Sequence, residues 1–198
     1  MTTPVRVLGA GAGAPSLRLS PADVAAAWGL SAGKGRLAVC ADDEDALTLA
    51  WQAASRAIEA AGLESGDIEG LWWGTTRPPL AEGPSYAFLA AALGLRRNLS
   101  GALLAGSPHA GMEALLAAWD AVAAGSIDVA VIVVSDALVP GLGTSLETRT
   151  GAGAAALVMS RAGGTAALTG RVTRTRPVLD RYRGDGEPTT RDLYDPRL

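Results

Sequence analysis

The chain has 198 residues, of which 48% are hydrophobic and 19% are charged, and its net charge is −3. This composition supports a packed core of one large or two small domains and excludes a mainly disordered chain. The acidic balance argues against a dedicated nucleic-acid binder. The only cysteine is Cys40 and the only histidine is His109, which excludes an internal disulfide, a structural zinc site and any mechanism that needs two histidines from this chain.

No apolar run is long enough to cross a membrane, since a spanning helix needs about eighteen apolar residues or more. The first residues carry no basic region followed by an apolar run and a cleavage site, so no signal peptide is expected. The sequence therefore predicts a cytoplasmic protein that contacts neither membrane nor nucleic acid.

The spacing of apolar residues predicts strands that alternate with helices. Strands are predicted at 5–10, 37–40, 68–75, 102–105, 129–135, 154–160 and 165–173, and helices at 21–28, 45–61, 84–93 and 108–124. Such alternation produces βαβ units, so we expect an α/β fold with a mostly parallel mixed sheet and helices on its faces.

Residues 1–175 are predicted to form one domain. Residues 176–198 are rich in arginine, aspartate, proline and glycine and contain few core residues. This segment cannot fold alone, and we expect either a disordered tail or a segment that lies on something absent from this sequence.

Two motifs have both a ligand-binding and a structural interpretation. The glycines at 9, 11 and 13 follow a predicted strand, as in a dinucleotide-binding loop, but no helix begins directly after them, so a flexible turn is favoured. The acidic run 42–45 could bind a metal, but it also precedes the strongest predicted helix. Acidic residues there satisfy free N–H groups and complement the helix dipole, so helix capping is favoured.

Cysteine and tryptophan residues are expected to serve packing. Cys40 ends an apolar run without a basic neighbour, which predicts a buried and inert thiol. The five tryptophans are expected mostly in the core. Trp72 and Trp73 are adjacent in a predicted strand, so they should point to opposite faces of the sheet.

The segment 105–111 combines a strand end, a tight turn and a helix start, which is where an α/β fold can place a nucleophile. The candidate catalytic residues are Ser107, as nucleophile, and His109, as base. The structural interpretation makes Ser107 the helix cap and Pro108 the first helical residue. Because side chains two residues apart on a helix diverge, we expect an inert turn in which His109 does not reach the Ser107 hydroxyl.

Four segments, taken in order, resemble the thiolase superfamily, specifically the 3-hydroxy-3-methylglutaryl-CoA synthase and ketoacyl-ACP synthase III branch. The resemblance covers roughly residues 5–160 and rests on 43–50 with 57–63 and 67–68, on 74–79 with 90–95, on 110–115, and on 151–158. It implies a fold of two similar halves, with a catalytic cysteine at a helix start in the first half. A histidine and an asparagine in the second half assist that cysteine, which accepts an acyl group before a carbon–carbon bond forms.

The sequence departs from this family pattern at several positions. The cysteine position falls on Pro108, the glutamate of the hydroxymethylglutaryl branch falls on Thr76, and Ala152 stands where the family usually has aspartate. The end of the sequence resembles the crossover into the second half, so residues 176–198 are expected to lead toward a half that lies outside this chain.

Three functions follow as expectations from the resemblance. The first is a thiolase-like half that lacks the usual cysteine and acts as a non-catalytic or altered-chemistry subunit. The second is an active acyltransferase or condensing enzyme completed by a second half, and the third is a structural dimerisation module. The resemblance also implies no tightly bound cofactor, a CoA or acyl-carrier thioester as substrate, a homodimer, and either a second thiolase half or an OB-fold acyl-CoA-binding protein as partner.

Overall fold

A computed structural model of the chain describes residues 4–31, 34–177 and 181–192. Within these ranges the helices are α1 (Pro21–Trp28), α2 (Ala46–Ala60), α3 (Ser85–Ala92) and α4 (Ala110–Ala123). The strands are β1 (Arg6–Gly13), β2 (Leu17–Leu19), β3 (Leu37–Val39), β4 (Gly70–Thr75), β5 (Ser100–Ala105), β6 (Val129–Asp136), β7 (Gly153–Ser160), β8 (Ala166–Ala167), β9 (Arg181–Tyr182) and β10 (Arg191–Asp192).

The main sheet has the strand order β5-β4-β6-β7-β1-β8. Strand β4 pairs in parallel with β5 and β6, whereas the β6–β7, β7–β1 and β1–β8 pairs are antiparallel. The α/β class and the mixed sheet are confirmed. Strands β4, β5 and β6 pair in parallel because the crossover helices α3 and α4 connect them in turn, whereas the loop 137–152 joins β6 to β7 without a helix. Helix α2 also precedes β4, but β1 and β4 are not neighbours in the sheet.

The predicted strand 165–173 is much shorter in the structure. Only Ala166 and Ala167 pair, with Val7 and Arg6 of β1. The residues that follow lie on the surface, and Val172 is 98% exposed. Without a further strand to pair with, the apolar residues of this stretch do not extend the sheet.

The glycines at 9, 11 and 13 lie inside β1, so both the dinucleotide loop and the flexible turn are wrong interpretations. Helix α2 crosses β1 at very short distance. A Cβ atom on Gly9 would lie 2.5 Å from the Ala57 carbonyl oxygen, one on Gly13 would lie 2.6 Å from the Leu49 carbonyl oxygen, and one on Gly11 would overlap the Ala53 carbonyl. Each glycine therefore provides room for the helix backbone.

Helix α2 begins at a capping box, as predicted for the acidic run 42–45. The Asp45 carboxylate accepts hydrogen bonds from the backbone N–H groups of Leu47 (2.9 Å) and Thr48 (2.8 Å), and the Thr48 hydroxyl accepts one from Asp45 N–H (2.7 Å). Among the described residues, no group of three or more histidine, cysteine, aspartate or glutamate side chains could hold a metal ion.

The two faces of the sheet carry separate cores. Trp73 packs with α2 and α3, whereas Trp72 packs with α4, so the prediction that they face opposite sides is confirmed. Trp73 Nε1 donates to the Ser135 hydroxyl (2.8 Å), and that hydroxyl donates to the Ala46 carbonyl (2.7 Å). This chain of bonds connects β4, β6 and the first turn of α2 within the core.

Two of the five tryptophans lie outside the core, and the other three pack in it or against it, so the expectation that most lie in the core is confirmed. Trp28 is 52% exposed and Trp51 is 45% exposed. Trp51 lies on the outer side of α2, where its Nε1 donates to the Ala92 carbonyl at the end of α3 (3.1 Å). Its amphipathic ring therefore bridges two helices at the surface.

Of the C-terminal segment, residues 176–177 and 181–192 are described, and residues 181–192 contact their own chain. Strands β9 and β10 pair into a short ribbon. Thr190 N–H donates to the Val139 carbonyl (3.4 Å), and the Pro188 carbonyl accepts from Arg77 (3.1 Å). The ribbon thus packs on the loop after β6 of its own chain. The rest of the predicted crossover, 178–180 and 193–198, lies outside the described residues, and within the described part no helix has the length and apolarity to cross a membrane.

We predict that Gly11→Ala lowers the free energy of unfolding by about 1–3 kcal/mol, because the added Cβ must push α2 away from β1. Gly66→Ala is the matched control, since a Cβ there meets open space. Denaturant unfolding of both variants measures the effect. Equal stabilities for the two variants would contradict the prediction.

Candidate functional site

The turn between β5 and α4 holds the candidate residues Ser107, Pro108 and His109. Gly106 adopts φ +77°, a left-handed conformation that favours glycine. The Ser107 carbonyl accepts from Ala110 N–H (3.1 Å), and the Ser107 hydroxyl accepts from His109 N–H (3.1 Å). This tight turn delays the helix to Ala110, so the N-cap is His109, and the expectation that Ser107 is the N-cap and Pro108 the first helical residue is wrong.

The Ser107 hydroxyl and the His109 imidazole do not form a catalytic pair in this geometry. Within the described residues, the hydroxyl's hydrogen-bond partner is the His109 backbone N–H, and no hydrogen bond joins the imidazole to it. A serine nucleophile requires a base within hydrogen-bond distance. The role of either residue in catalysis stays a prediction.

A cavity of about 470 Å³ opens beside this turn. Ser107 and Pro108 contribute to its wall, together with the first turns of α4 and the C-terminal ends of β4 and β6. Most of the remaining lining is apolar and includes Met112, Leu115, Ile132, Val134, Ala155 and Leu157. The cavity therefore suits an uncharged, apolar group placed next to Pro108.

Asp136, at the end of β6, is a site residue that the sequence analysis missed. Its Oδ1 atom accepts hydrogen bonds from the Thr75 hydroxyl (3.0 Å), the Thr76 hydroxyl (2.8 Å) and the Thr76 N–H (2.7 Å). This carboxylate holds the ends of β4 and β6 together beside Ser107 and Pro108. A polar residue after a buried parallel strand is the signal that could have found it.

A second cavity, of about 540 Å³, lies between β3 and the loop 137–152. Cys40 lies in its wall and is half-buried, whereas the sequence predicted a buried thiol. Burial raises the pKa of the Cys40 thiol, and the negative charges of Glu44 and Asp45 raise it further. The thiol therefore stays protonated at neutral pH, in agreement with the predicted lack of reactivity.

A third cavity, also of about 470 Å³, connects the other two. It shares Ser107, Pro108 and Asp136 with the apolar cavity, and it shares Arg77 and Thr150 with the cavity beside Cys40. The ribbon 181–192 forms its outer wall. Burial lowers the pKa of the Arg77 guanidinium, and the nearby positive charge of Arg183 lowers it further.

Glu44 fixes one rim of the cavity beside Cys40. Its carboxylate accepts hydrogen bonds from Ala41 N–H (2.9 Å), from Ser16 N–H (2.9 Å) and from the Ser16 hydroxyl (3.0 Å). These bonds tie the loop after β1 to the start of α2. The backbone N–H groups of Ala41 and Ser16 lower the pKa of the Glu44 carboxyl.

We predict that Glu44→Gln lowers the thermal unfolding midpoint at pH 7. Because the pKa of Glu44 is lower in the folded state, its stabilisation is present above the ordinary carboxyl pKa and is lost as the pH falls through the folded-state pKa. The difference between wild type and Glu44→Gln should therefore shrink between pH 7 and pH 3. Glu59→Gln, an exposed change on α2, is the control, and an equal effect from it would contradict the prediction.

The chain is similar to known proteins in both sequence and structure. No family model matches the chain. The hydroxymethylglutaryl-CoA synthase of Methanopyrus kandleri is 30% identical over 194 residues, which cover 94% of this chain and 55% of the relative. That of Pyrococcus horikoshii is 34% identical over 156 residues, which cover 78% of this chain and 45% of the relative.

Solved structures show the same relationship. The structure of MvaS in complex with 3-hydroxy-3-methylglutaryl coenzyme A matches 100% of this chain and 49% of that chain, with a TM-score of 0.86 and 27% identity. The 3-oxoacyl-(acyl carrier protein) synthase III of Pseudomonas aeruginosa matches 79% of this chain and 50% of that chain, with a TM-score of 0.71. Its 24% identity supports the fold alone.

The chain spans about half the length of the curated relatives and solved structures that it matches. The resemblance noted in the sequence is thereby confirmed along nearly the whole chain. The chain is a member of the thiolase superfamily, of the hydroxymethylglutaryl-CoA synthase-like and ketoacyl-ACP synthase III-like kind.

Proposed function

We propose that this chain is a thiolase-like half that binds an acyl-CoA or acyl-carrier thioester without forming an acyl-enzyme at the family's cysteine position. It is a non-catalytic or altered-chemistry subunit of a cytoplasmic assembly. The observation that carries the proposal is Pro108, which stands at the cysteine position implied by the resemblance and lies in the wall shared by two cavities.

The chemistry of the turn supports this function. Proline has no nucleophilic atom and no backbone N–H, so Pro108 can neither form a thioester nor donate a hydrogen bond to an oxyanion. Within the described residues, no imidazole or carboxylate is hydrogen-bonded to the Ser107 hydroxyl. The only thiol, Cys40, has a raised pKa, so it is a poor nucleophile at neutral pH.

A thioester ligand is supported by the cavities and by the relatives. The apolar cavity beside Pro108 can accept an acyl group, and a neighbouring cavity shares Ser107, Pro108 and Asp136 with it. The neighbour with a TM-score of 0.86 is described as a complex with 3-hydroxy-3-methylglutaryl coenzyme A. We assign no tightly bound cofactor to the chain itself.

One observation favours the alternative of an active acyltransferase or condensing enzyme. The Ser107 hydroxyl lies in the cavity wall directly before Pro108, and a second thiolase half could supply the missing base. In that case Ser107 would replace the family cysteine as the nucleophile.

Incubation of the purified chain, alone and in its native complex, with radiolabelled acetyl-CoA distinguishes these functions. We expect reversible binding and no covalent label on the wild-type chain or on Ser107→Ala, which should lose about 1 kcal/mol of stability through its backbone hydrogen bond. Pro108→Cys should become labelled, because it restores a thiol at the cysteine position that the resemblance implies. Pro108→Ala is its matched control without a thiol.

Label on the wild type that disappears in Ser107→Ala would establish the active enzyme instead. If the chain neither binds acetyl-CoA nor becomes labelled, both functions are rejected and the third, a structural dimerisation module, is supported.

The assembly we propose is a homodimer that pairs β5 with its symmetry copy, joined by a second thiolase half or an OB-fold acyl-CoA-binding partner. Strand β5 lies at the sheet edge, with β4 as its neighbour on one side. Ser100, Gly101 and Ala102 are exposed there, and Phe88 of the adjacent α3 is 53% exposed. An unprotected edge strand next to exposed apolar residues favours pairing with another strand.

We predict a dimer that buries more than about 1,000 Å². Ala102→Asp should convert it to a monomer, since a carboxylate near a two-fold axis lies close to its own copy. Ala166→Asp, an exposed change on β8 at the opposite edge, should leave the dimer intact. Light scattering after size-exclusion chromatography measures both. A monomeric wild type, or a dimeric Ala102→Asp, would contradict the interface.

A further inference from the structure

Three arginines, Arg77, Arg181 and Arg183, line the cavity that contains Ser107 and Pro108. Of these, Arg77 and Arg183 come from distant parts of the sequence and lie close enough for their charges to interact. Arg77 follows β4 and is half-buried, and Arg183 follows β9 and is exposed. Arg77 Nη1 donates to the Pro188 carbonyl (3.1 Å), and Arg183 Nη1 donates to the Glu187 carbonyl (3.0 Å). Neighbouring carbonyls of one turn therefore hold the two guanidinium groups in place.

The charges of Arg77 and Arg183 are not neutralised by the acidic groups around them. Within the described residues, neither arginine forms a salt bridge with a carboxylate. The Glu187 carboxylate is bound by Arg191 (2.7 Å) and Gly184 N–H (3.0 Å). Asp136, on the other side of the cavity, accepts its hydrogen bonds from Thr75 and Thr76.

The proximity of the two guanidinium groups has an energetic consequence. The charge of Arg183 is close enough to lower the pKa of Arg77, as does the partial burial of Arg77. Two like charges in one cavity repel each other, and a bound anion would relieve that repulsion. Each guanidinium carries five N–H donors in a planar fork that matches carboxylate and phosphate oxygens, and one nitrogen of each is used by the turn.

We propose that Arg77 and Arg183 bind an anionic oxygen group of the thioester ligand, either a carboxylate at the end of its acyl chain or a phosphate of its carrier. The inference rests on the proposed function, because it names the ligand class of the same cavity. The anion and Pro108 share one space of about 470 Å³. The ligand is therefore a thioester with an anionic oxygen group, either on its acyl chain or on its carrier.

Isothermal titration with matched probes tests the assignment. Succinyl- and butyryl-N-acetylcysteamine differ in a terminal carboxylate and contain no phosphate, whereas coenzyme A and pantetheine differ in the phosphate-bearing part of the carrier. The variants are Arg77→Ala and Arg183→Ala. Arg97→Ala, an exposed change in the loop before β5, removes the same charge at the opposite end of the strands and is the control.

Wild type and Arg97→Ala should bind the charged member of one pair about tenfold more tightly than its partner, and Arg183→Ala should lose that preference. A preference in the thioester pair identifies a carboxylate, and a preference in the coenzyme A pair identifies a phosphate. Equal binding within both pairs, or a preference that survives in Arg183→Ala, would overturn the proposal. Because Arg183 is exposed, Arg183→Ala should fold, and its result alone is sufficient to test the proposal if Arg77→Ala does not fold.

The outcomes also separate this inference from the proposed function. If the succinyl and butyryl thioesters bind equally tightly, and coenzyme A and pantetheine also bind equally tightly, the thioester-binding function is supported and the arginine site is rejected. Covalent acylation of the wild type together with an arginine-dependent preference would reject the non-acylating function and keep the arginine site. If no thioester binds, titration with inorganic pyrophosphate and with glutarate tests the arginine site by itself, because binding of these anions requires only Arg77 and Arg183.

Discussion

The close contact between α2 and β1 is the constraint on which the rest of the molecule depends. The absence of side chains on Gly9, Gly11 and Gly13 lets the helix backbone lie almost directly on the strand. The facing residues of α2 are correspondingly small, and Ala50, Ala53 and Ala57 are completely buried. Because this helix also packs on β6 and β7, its height above the sheet sets where its N-terminus, and hence the rim formed by Glu44, can lie. The Trp73–Ser135–Ala46 bonds fix the same end of α2 from within the core. The three adjoining cavities, together called the cleft, thus lie beside a helix whose height above the sheet is set by backbone contact and whose N-terminus is fixed by the Trp73 and Glu44 side chains.

The cleft itself combines three different chemical surfaces. One part is apolar beside α4, one is formed by the β3 segment with its protonated thiol, and one carries the two arginines. The apolar part and the arginine part meet at Ser107 and Pro108. Recognition of a thioester and reaction with it are separate physical tasks, and only the second requires an activated nucleophile. The proposed function assigns the first task to this chain and not the second.

Much of the fold could be predicted from the sequence, because helix α2 carries a strong periodic pattern and strands β4, β6 and β7 are continuous apolar runs. The three glycines of β1 were misread, since glycine in a sequence indicates conformational freedom, whereas here it provides space for a neighbouring backbone. Ser107 and Pro108 were found because the strand–turn–helix pattern is local. Asp136, Arg77 and Arg183 were not found, because nothing in their spacing indicates that residues 77, 136 and 183 line one cavity. That information exists only in the crossover topology and in the way the 181–192 ribbon folds back.

The pairing of β1 with β7 also affects the order in which the molecule can form. Arg6 pairs with Ser160 and Gly13 pairs with Ala154. Strand β1 therefore stays unpaired until β7 has formed, and most of the sequence lies between these two strands. Contacts of such long sequence separation form slowly, because the intervening chain must close as a loop before they contribute. Until β7 arrives, the bare glycine strand has only α2 to pack against and both of its hydrogen-bonding edges are open. During synthesis this segment is therefore the part of the chain most exposed to pairing with other molecules.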